Sequence, residues 1–283
     1  MKKVIFSKYS GAGNDFVLID KNLNHELEIK PETIIKFCDR RNGIGADGVL
    51  LISDSHVSDF NMEYYNADST TGTLCGNGAR CALNYAKFSG RIHGKKASFS
   101  NDNIQYSGEI LADNLVKFNL NNPEDFKFNF KVKAGGQLLN ASFVNTGSPH
   151  VVINIADILS DVKNPNSFYD NLDDVPVFNM GREIRNLAEF PKGTNVNFIK
   201  IKKNKIYIRT YERGVEDETL ACGTGSVASA VISSFNYNVS PPVELVTKSG
   251  ESLFVDFKVE NKSVLNVSLT GSAKEIFKGE ILI

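Results

Sequence analysis

Cys75-Gly-Asn-Gly-Ala-Arg-Cys-Ala-Leu-Asn-Tyr-Ala-Lys-Phe88 returns, altered, as Cys222-Gly-Thr-Gly-Ser-Val-Ala-Ser-Ala-Val-Ile-Ser-Ser-Phe235, about half a chain length later. In both stretches a cysteine precedes a glycine-rich turn, and a helix-like apolar run follows, Ala79 to Phe88 and Val227 to Phe235. A chain that makes the same thiol and helix start twice is expected to bring two thiols face to face. Two opposed proton-transfer groups are what inversion of a carbon centre requires.

Other landmarks repeat in the same order around the two cysteines. The first half opens with strand-like Val4–Phe6 and Phe16–Ile19, joined by the turn-rich Ser10-Gly-Ala-Gly-Asn-Asp15. A helix is expected from Pro31, a residue suited to a first helical position, to about Asp39. A glycine loop, Asn42 to Gly48, leads to strands Val49–Ile52 and Asn61–Tyr65, then a polar loop from Asn66 to Leu74. Short strands fill Ala97 to Leu120. In the second half, Asn145-Thr-Gly-Ser-Pro-His-Val-Val-Ile153 echoes the first turn and strand, and Lys192-Gly-Thr-Asn-Val-Asn-Phe-Ile199 echoes the glycine loop. Ile206–Tyr211 then echoes Met62–Tyr65. Ordered landmarks at a similar offset indicate duplication better than one match does.

Many short strands with one glycine-started helix per half predict an α+β fold: two pseudo-symmetric, β-rich, barrel-like domains, each wrapped around a central helix. The expected domains are residues 1–119 plus 271–283, and 120–270, with a linker near Asn119 to Asp125 and the active site in the cleft between them. The closing run Glu275–Ile283 has no counterpart at the end of the first half and is expected to cross back to the first domain.

Composition narrows the class. At 283 residues, with 41% hydrophobic and 23% charged residues, the chain reads as an ordinary globular protein of two domains. A net charge of −1 offers no basic excess for nucleic acid. No apolar stretch is long enough to span a membrane, and the start is too short in apolar residues for a signal peptide, which implies a cytoplasmic protein. Cys38, Cys75, Cys81 and Cys222 do not form a C-x2-C pair, and His25, His56, His93 and His150 are scattered. Neither a disulfide framework nor a zinc site is expected, and no metal. The sequence leaves the oligomeric state open, a homodimer included.

A helix start preceded by cysteine carries unpaired N–H groups and partial positive charge, so it binds carboxylates and favours thiolate over thiol. Two such ends could hold one substrate carboxylate and spread the charge of a carbanion on the adjacent carbon. One thiolate would remove the α-proton and the other thiol would return one, with no cofactor. The alternatives are two small buried core cysteines and a reversible redox pair, the latter disfavoured by the missing C-x-x-C spacing. Cys38 and Cys81, without partners in the other half, read as core.

Eight segments in order carry a further likeness: Gly11-Ala-Gly-Asn-Asp-Phe16, Arg41-Asn-Gly-Ile-Gly-Ala-Asp47, Tyr65-Asn-Ala-Asp68, Cys75-Gly-Asn-Gly-Ala-Arg80, Gly147-Ser-Pro-His150, Thr194-Asn-Val-Asn197, Tyr211-Glu-Arg-Gly214 and Glu218-Thr-Leu-Ala-Cys-Gly-Thr-Gly225. Nearly end to end, the chain resembles the diaminopimelate epimerase family, within the cofactor-independent two-thiol racemases that include proline racemase. The resemblance implies interconversion of LL- and meso-diaminopimelate, with a small amino acid as partner and neither cofactor, nucleic acid nor membrane involved. It implies Cys75 and Cys222 as the acid/base thiols, with His150 near the first and Glu212 at the second. Gly76, Asn77, Gly223 and Thr224 match carboxylate-binding helix starts. Asn14, Asn66, Asn195, Glu212 and Arg213 match positions that hold the distal, non-reacting end. Two departures bear on that end: Ser148 stands where many members carry Asn, and the stretch from Arg213 to Cys222 is one residue longer than in some relatives. A sister racemase acting on proline, hydroxyproline or histidine is the nearest rival; Arg213 and the asparagines favour a substrate with a second charged end.

Overall fold

The computed structural model describes residues 2–71 and 74–283, so Met1 and, in the polar loop read between Asn66 and Leu74, residues 72 and 73 lie outside the described residues. The chain divides into two units, Met1–Asn119 with Thr270–Ile283, and Leu120–Leu269.

In the first unit, β1 (Lys3–Gly11) and β2 (Asn14–Asp20) form an antiparallel hairpin. The turn expected across Ser10 to Asp15 shrinks to two residues, because Ser10 pairs with Asp15 and Gly11 with Asn14. Ala12 (φ 55°) and Gly13 (φ 102°) take left-handed backbone there, the geometry whose twist matches the flanking strands. After α1 (Pro31–Cys38), β3 (Gly48–Ser53) runs parallel to β2. Phe16-Val-Leu-Ile19 and Val49-Leu-Leu-Ile52 are buried throughout, as continuous apolar runs in a parallel pair should be. Then β4 (Phe60–Asn66) pairs antiparallel with β3, and α2 (Gly76–Phe88) follows. α2 is buried from Gly76 through Ala86, so almost its whole circumference is covered. A helix covered on nearly every side, its buried polar residues included, is central to its unit. β5 (Lys96–Asn101), parallel to β4, and the antiparallel β6 (Ile104–Ala112) and β7 (Leu115–Asn119) complete this run.

The second unit repeats the scheme. β8 (Glu124–Ala134) and β9 (Gln137–Asn145) form a hairpin, and β9 pairs antiparallel with β10 (Pro149–Asn154). Next comes α3 (Val177–Arg185), then β11 (Asn195–Lys202), parallel to β10, and β12 (Lys205–Glu212), antiparallel to β11. The short β13 (Asp217–Thr219) leads into α4 (Gly223–Tyr237), buried at Gly223 and from Gly225 through Ser233. β14 (Val243–Val246) runs parallel to β12, and β15 (Ser252–Glu260) antiparallel to β14. The pairing sequence β2, β3, β4, helix, β5, β6 is therefore matched by β10, β11, β12, helix, β14, β15. The fold is α+β, a duplicated β-rich unit around a central helix. β16 (Ser263–Ser272) carries the chain back, and β17 (Lys274–Leu282) pairs antiparallel with β1 from Lys3↔Leu282 to Ser10↔Lys274.

The helix α3 was not expected from the sequence. Its buried residues Val177, Met180, Gly181 and Ile184 fall at i, i+3, i+4 and i+7, a one-faced stripe that packs on the second unit's core. Among the described residues, no helix is long and apolar enough to cross a membrane.

Candidate active site

Cys75 is the N-cap of α2, with extended backbone (φ −91°, ψ 113°) that turns the chain into the helix. Its half-buried sulfur accepts from Gly78 N at 3.4 Å, so one N–H of the first turn already points at the thiol. Asn77 is buried and bridges two neighbours: Nδ2 donates to Asn14 Oδ1 at 2.6 Å, and Oδ1 accepts from Arg80 Nη2 at 2.8 Å. Arg80 is itself fully buried, and it also donates to Gly76 O and Ser272 O. A buried guanidinium beneath a helix start adds positive charge where an anion would sit. Arg80 is outside the site set expected from sequence: two of its partners lie in its own helix, but the third, Ser272, is brought beside it only by the fold.

Asn14 in turn donates to Asp47 Oδ2 at 3.1 Å. Asp47 and Asp15 exchange backbone and carboxylate bonds, and Arg40 closes the group with a fork on Asp15 (2.9 and 2.8 Å) and a bond to Asp47 (2.7 Å). Lys8 also pairs with Asp15 at 2.7 Å. Burial alone would raise the Asp15 carboxyl, but Arg40 and Lys8 outweigh it and hold it at about 2. Asn66 ends β4, accepting from the Tyr64 hydroxyl at 2.9 Å and donating to Thr70 Oγ1 at 2.9 Å.

In the second unit Cys222 caps α4 (φ −120°, ψ 113°) and is buried, its sulfur 3.6 Å from Thr224 Oγ1. Gly223 and Thr224 begin the helix, as Gly76 and Asn77 begin α2. Thr146 Oγ1 donates to the Thr224 carbonyl at 3.0 Å, tying this turn to the end of β9. The resemblance associates His150 with the first thiol; within its own unit its ring bonds the start of α4, with Nε2 2.9 Å from Thr224 Oγ1 and 2.9 Å from Ser148 Oγ. His150 is fully buried, and burial followed by the charge of Arg213 pushes it down to about 3. It is neutral near pH 7 and cannot serve as a cation there.

Asn195 donates to Pro149 O at 2.9 Å and accepts from the Arg213 backbone N–H at 2.8 Å, which fixes the base of the β12–β13 turn. The Arg213 guanidinium reaches Lys192 O at 3.1 Å. Glu212 accepts from Thr219 Oγ1 at 2.9 Å, joining β12 to the strand that leads into Cys222. Asn197, also outside the set expected from sequence, is fully buried on the face it shares with Asn195. Polar residues at alternate positions of an otherwise apolar strand, Asn195-Val-Asn-Phe198, were the available signal. Cys81 and Cys38 are buried, and burial pushes the Cys38 thiol up to about 11, which makes it a poor nucleophile.

Both cysteine-headed helix starts thus present backbone N–H groups, a thiol and a polar second residue, suited to a carboxylate and to proton transfer at its α-carbon. A model of the diaminopimelate epimerase family matches residues 6–124 and 142–276. The diaminopimelate epimerase of Chlorobaculum tepidum is 40% identical, over 97% of this chain and 100% of that one. The one from Aquifex aeolicus is 38% identical, over 98% of this chain and 97% of that one. Among solved structures, a phenazine biosynthesis protein of the PhzF family from Bacillus anthracis superposes with a TM-score of 0.74 at 14% identity, covering 100% of both chains. A probable proline racemase from Agrobacterium radiobacter with bound carbonate gives 0.71 at 12% identity, over 99% of this chain and 93% of that one. At such identities these two likenesses speak for the fold alone.

Proposed function

Because the chain belongs to the diaminopimelate epimerase family, we infer that it inverts one α-carbon of diaminopimelate, interconverting the LL and meso forms in lysine and peptidoglycan-precursor synthesis. The observation that carries the mechanism is that Cys75 and Cys222 each cap a glycine-started helix.

In this mechanism the thiols work from opposite faces of one carbon. A thiolate takes the α-proton: the C–H bond breaks, an S–H bond forms, and the electron pair spreads into the adjacent carboxylate. Helix-start N–H groups at Gly76, Asn77, Gly223 and Thr224 hold that carboxylate, and they act most strongly on the charge that develops as the proton leaves. The thiol on the other face delivers its proton to carbon and becomes the thiolate. The product leaves an enzyme whose thiols have exchanged roles, and no redox step or cofactor enters the balance.

The distal amino acid end needs its own recognition. The Arg213 guanidinium suits a carboxylate bidentately, while Asn14, Asn66, Asn195 and Glu212 offer acceptors and donors for an ammonium and a carboxylate together. Contacts so far from the reacting carbon serve to orient it. Both thiols must stay reduced, which fits a cytoplasmic setting.

Incubation of LL-diaminopimelate with the enzyme in deuterated water tests this reading. The meso form should appear with one deuterium at the inverted carbon, and proline should exchange none. Cys75→Ala and Cys222→Ala should each lose inversion by about a thousandfold or more, on the scale of a removed general acid or base. Near-normal turnover by either variant would sink the two-thiol mechanism.

A further inference from the structure

The amide of Asn197 is pinned at both ends. Its Oδ1 accepts from the Thr210 hydroxyl at 3.0 Å, and its Nδ2 donates to the Val151 carbonyl at 2.9 Å. A carbonyl can only accept, so the nitrogen is fixed on that side. The same nitrogen stands 3.1 Å from His150 Nδ1, which must therefore accept. A neutral imidazole that accepts at Nδ1 carries its one proton on Nε2.

The direction of the remaining bonds follows from that proton. Nε2 lies 2.9 Å from both Ser148 Oγ and Thr224 Oγ1, and those oxygens are 3.2 Å apart. The Asn195 amide nitrogen lies farther off, 3.5 Å from Nε2, and gives its two hydrogens to Pro149 O at 2.9 Å and Ser148 Oγ at 3.4 Å, so Nε2 stays a donor and takes no proton from either hydroxyl. Among the described residues, the acceptors within reach of the two hydroxyl protons are the hydroxyl oxygens themselves and Cys222 Sγ, 3.6 Å from Thr224 Oγ1. Both protons find an acceptor when Ser148 donates to Thr224 and Thr224 donates to the sulfur.

We propose that Asn197 is a positioning residue for the epimerase reaction: it fixes the His150 tautomer and thereby commits the Thr224 hydroxyl proton to the Cys222 sulfur. The proposal rests on the reading of Cys222 as a reacting thiol. A hydroxyl donor favours the thiolate over the thiol, so the relay makes Cys222 readier to act as the base. Charged groups of the same unit that bear on this cluster include Arg213, whose charge reaches His150, and Glu212, whose carboxylate accepts from Thr219 on the strand leading into Cys222.

Two measurements on the full-length, reduced protein test this. Nitrogen NMR of the four histidines should show His150 protonated at Nε2 and bare at Nδ1; a proton at Nδ1 overturns the assignment. The pH dependence of iodoacetamide alkylation at Cys222, followed by peptide mass spectrometry with Cys75 as internal reference, reads the sulfur directly. Thr224→Val removes the last donor. Asn197→Asp offers an acceptor to Nδ1–H and reverses the chain of bonds. Both should raise the Cys222 midpoint by about one pH unit, a roughly tenfold loss of thiolate below it. Thr224→Ser and Cys75 should keep their original midpoints. Equal midpoints for Thr224→Val and Thr224→Ser would overturn the relay, and an unshifted Asn197→Asp would remove Asn197 from it. Alkylation needs no turnover, so a failure of the epimerase reading would show in the isotope assay and leave this result standing.

Discussion

At Gly225 an added Cβ would lie 2.4 Å from Asn197 Oδ1 and 3.3 Å from Cys222 Sγ. Glycine inside a helix costs about 1 kcal/mol relative to alanine, so Gly225→Ala would stabilise α4 if only propensity counted. Overpacking a pinned neighbour costs about 1–3 kcal/mol, and Asn197 cannot retreat without losing Thr210 or Val151. Crowding at 2.4 Å from a pinned side chain puts the cost above the gain, and Gly225→Ala should lower stability by up to about 2 kcal/mol in urea unfolding, with a fall in turnover as Thr224 is displaced. A variant as stable as the parent would show that the helix start can slide off Asn197. The helix starts at Cys75 and Cys222 were legible because each lies within a few consecutive residues. Arg80, Asn197 and the Ser148–His150–Thr224 cluster were not, since each depends on which distant segments the fold brings beside it.

Between residues and the whole chain, the ends of β1, β2 and β3 meet at Asp15, where Lys8, Arg40 and Asp47 converge. The Asp15 carboxyl is held at about 2 in the folded state against 3.8 for an unperturbed group. A lowered folded-state value means stability that is present above the unfolded value and lost as pH falls towards the folded one. The difference in stability between the parent and Asp15→Asn should therefore be constant above about pH 4 and shrink on the way to about pH 2. With solvent partly screening the site, the change should be on the order of 1 kcal/mol. Urea titrations across that range check it, and a difference that ignores pH would assign the pairing no stabilising role. The strands here were readable as apolar runs, and α1 from its leading proline. α3 went unread although Val177, Met180, Gly181 and Ile184 follow a helical stripe. It is nine residues long, contains a glycine, and has no counterpart in the first half to draw attention to it.

At the scale of the molecule, duplication was legible in the order of its landmarks, and it appears as one pairing scheme made twice. The halves differ in how they are closed. The second unit is one continuous segment, whereas the first needs a strand from the far end of the chain. β1 lies between β2 and β17, and β17 supplies a full antiparallel ladder along it. Phe277 also meets Phe6 edge-on with ring centroids 5.9 Å apart, and Ile281 packs against the first unit's core. Removing residues 274–283 would leave β1 with an unpaired edge and bare apolar residues, a combination that natural sheets avoid. The truncated chain should lose amide protection in β1, β2 and β3 by about a hundredfold or more in hydrogen exchange, as expected when a cooperative unit loses several kcal/mol. β10, β11 and α4, inside the continuous unit, should keep theirs. Equal loss in both units would mean that they fold as one cooperative whole, and full retention in the first would mean that its core is stable without the returning strand.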